Sequence, residues 1–137
     1  MTIDSKTVLC QTSDEKMFGF LSDFNNFTRL MPSQVEGWSV NGNTCTFKVG
    51  GFMQITLAYT EKIANSRLVV APAADSNSPI PFKMIVNITN DSASTCRVSI
   101  SFNLEGSNPM MNMMIKPKLR DAADKIVDQL QYFATGL

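Results

Sequence analysis

Few residues in this chain could do chemistry, and one type is missing altogether. Histidine does not occur, which removes Ser-His-Asp and Cys-His nucleophilic schemes, imidazole acid/base catalysis and the usual catalytic zinc sites. Cys10, Cys45 and Cys96 stand far apart without CxxC spacing. The expectation is three reduced, semi-buried thiols and no metal site. A cavity enzyme needs an ionisable group on a dry face, where desolvation tunes its pKa. Asp14, Asp23, Arg29, Glu61 and Arg67 all fall near the ends of helix-like or strand-like segments, so structural or solvated roles are expected of them. Tyr59 alternates in phase with Ile55 and Leu57 and reads inward. Its hydroxyl is expected on a backbone carbonyl, with a cavity hydroxyl as the alternative. Gly50-Gly51 lacks the following helix of a phosphate loop and reads as a turn. No catalytic motif emerges, and no cofactor is expected.

The methionines say more. Nine of 137 residues are Met, and Met110, Met111, Met113 and Met114 crowd the start of the last helical stretch. The phase of that helix points Met111 inward and leaves Met110, Met113 and Met114 on the polar side. Adaptable thioethers suit a ligand mouth or a partner-binding patch. The plainer alternative is that Pro117 resets the phase and the cluster packs against other helices.

The elements that must position these residues follow from periodicity. Ile3 to Gln11 reads as a first strand. Thr12 then serves as a helix cap, with Glu15 three residues on completing a capping-box pattern. Met17, Phe20, Leu21 and Phe24 share one helical face. A second short helix places Phe27, Leu30 and Met31 on one side and stops at Pro32. From Val35 to Leu104 the texture is period-two alternation, clearest in Cys96, Val98, Ile100, Phe102 and Leu104 against Arg97, Ser99, Ser101 and Asn103. That pattern means an antiparallel sheet with one dry face, about six strands after the helices and seven in all. The connection from Ala71 to Pro81 is longer than a tight hairpin, and long connections are often lids or binding loops.

The last element starts at Asn108-Pro109, an N-cap followed by proline at the first helical position. It runs to about Ala134 and spans about 40 Å. Ile115, Leu119, Ala122, Ile126, Leu130 and Phe133 form an apolar stripe that Lys116, Arg120, Asp121, Asp124 and Asp128 avoid. Pro117 falls opposite the stripe and is expected to bend the helix around the sheet.

Bulk properties narrow the class. A chain of 137 residues with 44% apolar content fits one domain, residues 1–137, with its own core. Twelve basic and twelve acidic residues cancel, unlike the net basic field of a nucleic-acid binder. Residues 1–6 contain no apolar run, and no stretch approaches a membrane helix. A cytoplasmic protein without nucleic-acid partners or an integral membrane segment is expected, with the monomer favoured.

The order strand, two short helices, six strands, long helix resembles the SRPBCC or START-like superfamily. The helix pair SDEKMFGFLSDFNNFTRLMP and the closing helix NPMMNMMIKPKLRDAADKIVDQL carry that resemblance, which is nearest to short bacterial single-domain members. It implies an α+β helix-grip fold, β-α-α-β6-α, with a curved antiparallel seven-stranded sheet around the long carboxy-terminal helix. It also implies a hydrophobic ligand, such as a lipid, polyketide or isoprenoid, held between sheet and helix. The inward-reading positions expected to line that cavity are Leu30, Met31 and Trp38 near the helix pair, then Phe47, Ile55, Leu57 and Tyr59. Phe82, Met84, Ile100 and Phe102 join them from the later strands, with Met111 and Ile115 from the helix. Met110, Met113 and Met114 are the expected mouth or partner patch. Almost all the inward positions are apolar, which departs from catalytic members and favours binding or transport without chemistry. The alternatives are a cyclase- or dehydratase-type enzyme and an interaction module built on the Met patch.

Overall fold

The structure is a computed structural model that describes residues 2–27, 29–30, 35–49, 53–73, 82–104 and 109–137. Among these, the side chains of Val35, Glu36, Val49, Met53, Phe82, Pro109, Met111, Asn112, Met114 and Ile115 lie outside the description. The elements run β1 (Thr2–Asp4), β2 (Val8–Cys10), α1 (Asp14–Leu21), α2 (Phe24–Phe27), β3 (Val35–Asn41), β4 (Thr44–Val49), β5 (Met53–Ile63), β6 (Arg67–Pro72), β7 (Phe82–Ser92), β8 (Thr95–Leu104) and α3 (Pro109–Ala134). The strands form one curved antiparallel sheet in the order β1-β8-β7-β6-β5-β4-β3, with β2 also paired to β8. This is the expected α+β helix grip.

Where seven strands were expected, eight are counted among the described residues, because the first strand breaks in two. Thr2–Asp4 pairs with Ser101–Asn103, and Val8–Cys10 pairs with Cys96–Val98, so one extra residue is inserted between the two stretches. Ser5 bridges the gap, donating its N–H to the Ile100 carbonyl and accepting the Ile100 N–H on Oγ, both at 2.8 Å. The insertion switches the side-chain parity, and Ile3, Val8 and Cys10 therefore all point into the core. A second bulge lies between Glu36 and Ser39, where Gly37 adopts φ +64°. Glycine enters that region without a Cβ penalty, and the extra residue turns Trp38 toward the helices. Gly42, at φ +61°, opens the two-residue hairpin between β3 and β4, the position where a II′ turn takes glycine.

Helix α1 begins one residue later than the sequence pattern implied. Its N-cap is Ser13, whose Oγ accepts the Lys16 N–H at 3.2 Å. Thr12 is instead buried beside it with no hydrogen-bond partner for Oγ1. Either hydroxyl could cap; the core claims the first.

Helix α3 lies on β1, β2 and β8, while α1 packs on β6, β7 and β8. Pro117 is inside α3 and exposed, on the solvent side as expected. The buried face is rotated from the expected stripe: Ala123, Ile126, Val127, Leu130 and Ala134 are buried, whereas Leu119, Ala122 and Phe133 are half-buried. Polar ties fix the second half of this helix. Lys6 donates its backbone N–H to Asp124 Oδ1 at 2.9 Å and pairs through Nζ with Asp128 at 2.7 Å. Gln131 Nε2 donates to the Leu9 carbonyl at 2.9 Å. Among the described residues, no helix is long and apolar enough to cross a membrane.

The connection from Ala71 to Pro81, the Gly50-Gly51 turn, Pro32 and the Asn108 cap were all expected to shape the fold. Residues 74–81, Gly50, Gly51, Pro32 and Asn108 lie outside the described residues.

Candidate functional site

One side of the grip is closed by aromatic rings. Phe24 and Phe27 from α2 meet Trp38, Phe47 and Tyr59 from β3, β4 and β5. Phe24 stacks on Tyr59 with ring centroids 4.1 Å apart, and Trp38 stacks on Phe47 at 5.5 Å. Such pairs add about 0.5–1.5 kcal/mol each beyond the area they bury.

The polar heads of this cluster serve the end of α1. The last carbonyls of a helix have no intrahelical donor and must find others. Tyr59 Oη donates to the Leu21 carbonyl at 2.5 Å, Asn26 Nδ2 to Phe20 at 2.8 Å, and Lys62 Nζ to Ser22 at 3.3 Å. The Lys62 ammonium also lies 4.3 Å from the Tyr59 ring centre, and a cation suits the negative end of the helix dipole. Trp38 Nε1 donates to the Phe24 carbonyl at 3.2 Å. Tyr59 therefore has the structural role expected of it, and burial pushes its phenol well above the ordinary value.

Burial varies across the inner face of the sheet. Leu68, Val86, Cys96, Val98 and Ile100 keep at most 1% of their surface, as does Leu130 above them. Phe47, Ile55, Leu57, Met84 and Phe102 keep 6–8%. The second set follows the register: Met84 is opposite Phe102, Phe47 opposite Ile55, and Leu57 two residues further along β5. The accessible set lies toward the end of β8 where the chain crosses to α3.

Of the residues expected to line a cavity, this band holds Phe47, Ile55, Leu57, Met84 and Phe102, with Trp38 and Tyr59 half-buried at its margin. Leu30 is buried in the core, and Ile100 belongs to the sealed half rather than the band. Met31 and the side chains of Phe82, Met111, Met114 and Ile115 lie outside the described residues. Met110 and Met113 are exposed, as their helical phase required. What sequence reasoning missed was the aromatic seal made by Phe24 and Phe27. Their partners are 11 to 35 positions away along the chain, so no local period could announce it.

Among the described residues, the charged candidates sit at element ends and turns rather than on this face. Asp23 Oδ1 accepts from the N–H and Nδ2 of Asn25 at the start of α2, both at 2.9 Å. Asp14 Oδ1 accepts the Glu15 N–H, Arg67 lies 3.6 Å from Glu61 near the β5–β6 turn, and Arg29 is exposed. Cys10, Cys45 and Cys96 are free and buried. Burial pushes the Cys10 and Cys45 thiols up to about 12, and Cys96 shifts the same way. A thiol held that far from ionisation is a poor nucleophile or metal ligand.

No protein-family model matches this sequence, and no curated protein is detectably similar to it. Solved structures are similar. A START superfamily protein from Mycobacterium smegmatis superposes with TM-score 0.77 at 14% identity, covering 98% of this chain and 97% of that one. The fold is START-like. The START-like fold recurs in the di-domain ARO/CYC protein BexL of the BE-7585A biosynthetic pathway, at TM-score 0.67 and 12% identity over 100% of this chain and 47% of that one. It recurs again in the Aha1 dimer from Colwellia psychrerythraea, at TM-score 0.66 and 14% identity over 98% and 96%.

Proposed function

We propose that the accessible band is one wall of a cavity between sheet and α3 that holds a small hydrophobic molecule, of lipid, polyketide or isoprenoid type, for binding or transport without chemistry. The observation that carries this reading is that five inward apolar side chains, Phe47, Ile55, Leu57, Met84 and Phe102, keep 6–8% of their surface while Cys45 and Val70 beside them keep none. Ligand pockets are mostly apolar with a few polar groups that fix orientation. By their phase in the sequence, Met31, Phe82, Met111 and Ile115 complete the lining, all within one domain. The START superfamily and ARO/CYC neighbours lend the reading support. A cyclase-type role would need a carboxylate, a guanidinium or a free phenol on this face. The described band presents hydrocarbon and thioether, and the Tyr59 hydroxyl is engaged by Leu21. Three buried free thiols suit a reducing, cytoplasmic setting.

Native mass spectrometry of protein purified from its own cells tests the proposal, together with titration of the probe N-phenyl-1-naphthylamine. A non-covalent adduct and saturable probe binding are expected. Leu57→Trp and Met84→Trp should fill the cavity and abolish both while the circular-dichroism melting curve is retained. An adduct-free protein that binds no probe, or binding unchanged in both folded variants, would refute it.

A further inference from the structure

The first three turns of α3 carry an exposed surface that the proposed cavity does not use. Five large apolar side chains are exposed among the described residues, and two of them, Met110 at 74% and Met113 at 79%, stand one helical turn apart here. At about 100° per residue, Pro117 continues the same outward arc, and Lys116 and Arg120 flank it. Lys118 flanks the other side. All four are exposed. Residues 109–120 contain three cations and no acid, although the first turn of a helix favours acids.

These cations are free while the acids beyond them are not. Asp121 is paired with Lys125 at 2.9 Å, Asp124 accepts the Lys6 N–H, and Asp128 pairs with Lys6 Nζ. Lys116, Lys118 and Arg120 form no ion pair among the described residues. Lys116 and Arg120 border a shallow open groove of about 410 Å³ along Pro117, Asp121 and Asp124, wide enough for a phosphate headgroup between the two cations. Among the described residues these three cations have no ion-pair partner, although Asp121 and Asp124 border the same groove, and they stand beside thioethers that water does not favour.

We propose that the chain docks on an anionic lipid bilayer through this surface. Met110 and Met113 enter the boundary between headgroups and acyl chains, and Lys116, Lys118 and Arg120 meet the lipid phosphates. Apolar side chains flanked by cations on one exposed helical face have the chemistry of an interfacial helix, which binds by apolar burial together with attraction to anionic lipid. Charge complementarity selects this partner over a second copy of the chain, whose identical cations would be brought together. The docking stands apart from the cavity's contents.

Co-sedimentation with sucrose-loaded vesicles tests it, comparing phosphatidylcholine alone with phosphatidylcholine containing phosphatidylglycerol. Wild type should sediment only with the anionic vesicles at about 0.1 M salt and be released near 1 M, where screening shortens to a few ångströms. Each cation removed should weaken partitioning about fivefold, so Lys116→Gln with Lys118→Gln and Arg120→Gln should lose roughly 100-fold. Met110→Ser with Met113→Ser should weaken binding to the anionic vesicles at about 0.1 M salt. All five positions are exposed, and unchanged circular-dichroism melting checks the folds. Absence of binding to anionic vesicles, or equal binding to neutral ones, overturns the proposal. So does a dimer in sedimentation velocity that the Met substitutions convert to monomer, because the patch would then be a subunit interface. No ligand enters this assay, so an empty cavity leaves its outcome untouched.

Discussion

The two halves of the inner sheet face are built from the same residue types and differ in how completely they are filled. Around Cys96, Val98, Ile100, Val86 and Leu68 the packing is closed, with α3 lying over β8 and α1 over β6 and β7. Phe47, Ile55, Leu57, Met84 and Phe102 each keep a small accessible remainder, although Cys45 and Val70 among them are sealed. Lys6 and Gln131 tie α3 to the β1–β2 stretch on the closed side. Apolar identity alone therefore does not decide how completely a position is covered; the elements laid over it decide.

Truncation should expose the contrast most strongly. Leu68→Ala or Leu130→Ala, in the closed half, should cost about 4 kcal/mol in urea denaturation, whereas Leu57→Ala should cost about 2, since a site that already borders free space leaves less new cavity. Equal losses would dissolve the distinction between the halves.

High pH should strike both halves. Cys10 and Cys45 are held to about 12 by burial, while the same thiols in the unfolded chain ionise near 9. Above that value the unfolded state binds fewer protons than the native state, so stability is intact below about pH 8 and falls as pH rises. The slope approaches about 1.4 kcal/mol per pH unit for each thiol, or roughly 3 kcal/mol for the pair one unit above the unfolded value. Denaturation midpoints measured from pH 7 to 10 check this. A flat profile would mean that the thiols ionise in the folded protein.

Tyr59→Phe sharpens the boundary between seal and cavity. Loss of the hydroxyl leaves the Leu21 carbonyl without that donor and should cost about 1 kcal/mol, with probe binding unchanged. Altered binding would move Tyr59 into the ligand site. The smallest effect is expected at Thr12, whose buried Oγ1 has no partner. Thr12→Val should be neutral or raise stability by up to about 1 kcal/mol, and a lower melting temperature would reveal a partner for that hydroxyl.

Much of the fold was legible because its clearest elements have clean periods. Cys96 to Leu104 alternates without interruption, and the observed burial of β8 alternates with it. The long helix was equally plain in extent. Its rotation was not, because Ala122 and Ala123 weigh alike in a hydrophobic pattern and leave the phase free by one residue. The break in the first strand was hidden for a different reason. Ser5, Lys6 and Thr7 carry no glycine or proline to mark a bulge, and only the pairing with Ile100 reveals it. At the site, inward phase separates dry from wet but does not rank burial, so Leu30 and Ile100 were not told apart from Phe47 or Leu57.

Trp38 is the only tryptophan, and the bulge at Gly37 sets it at the edge of the accessible band, with Phe47 on one side and the Phe24 carbonyl on its indole nitrogen. The chain thus contains its own optical gauge. Emission at this single position should shift when a guest displaces water from the neighbouring wall, and should stay constant while the sealed half is perturbed, so occupancy can be followed in the unlabelled protein.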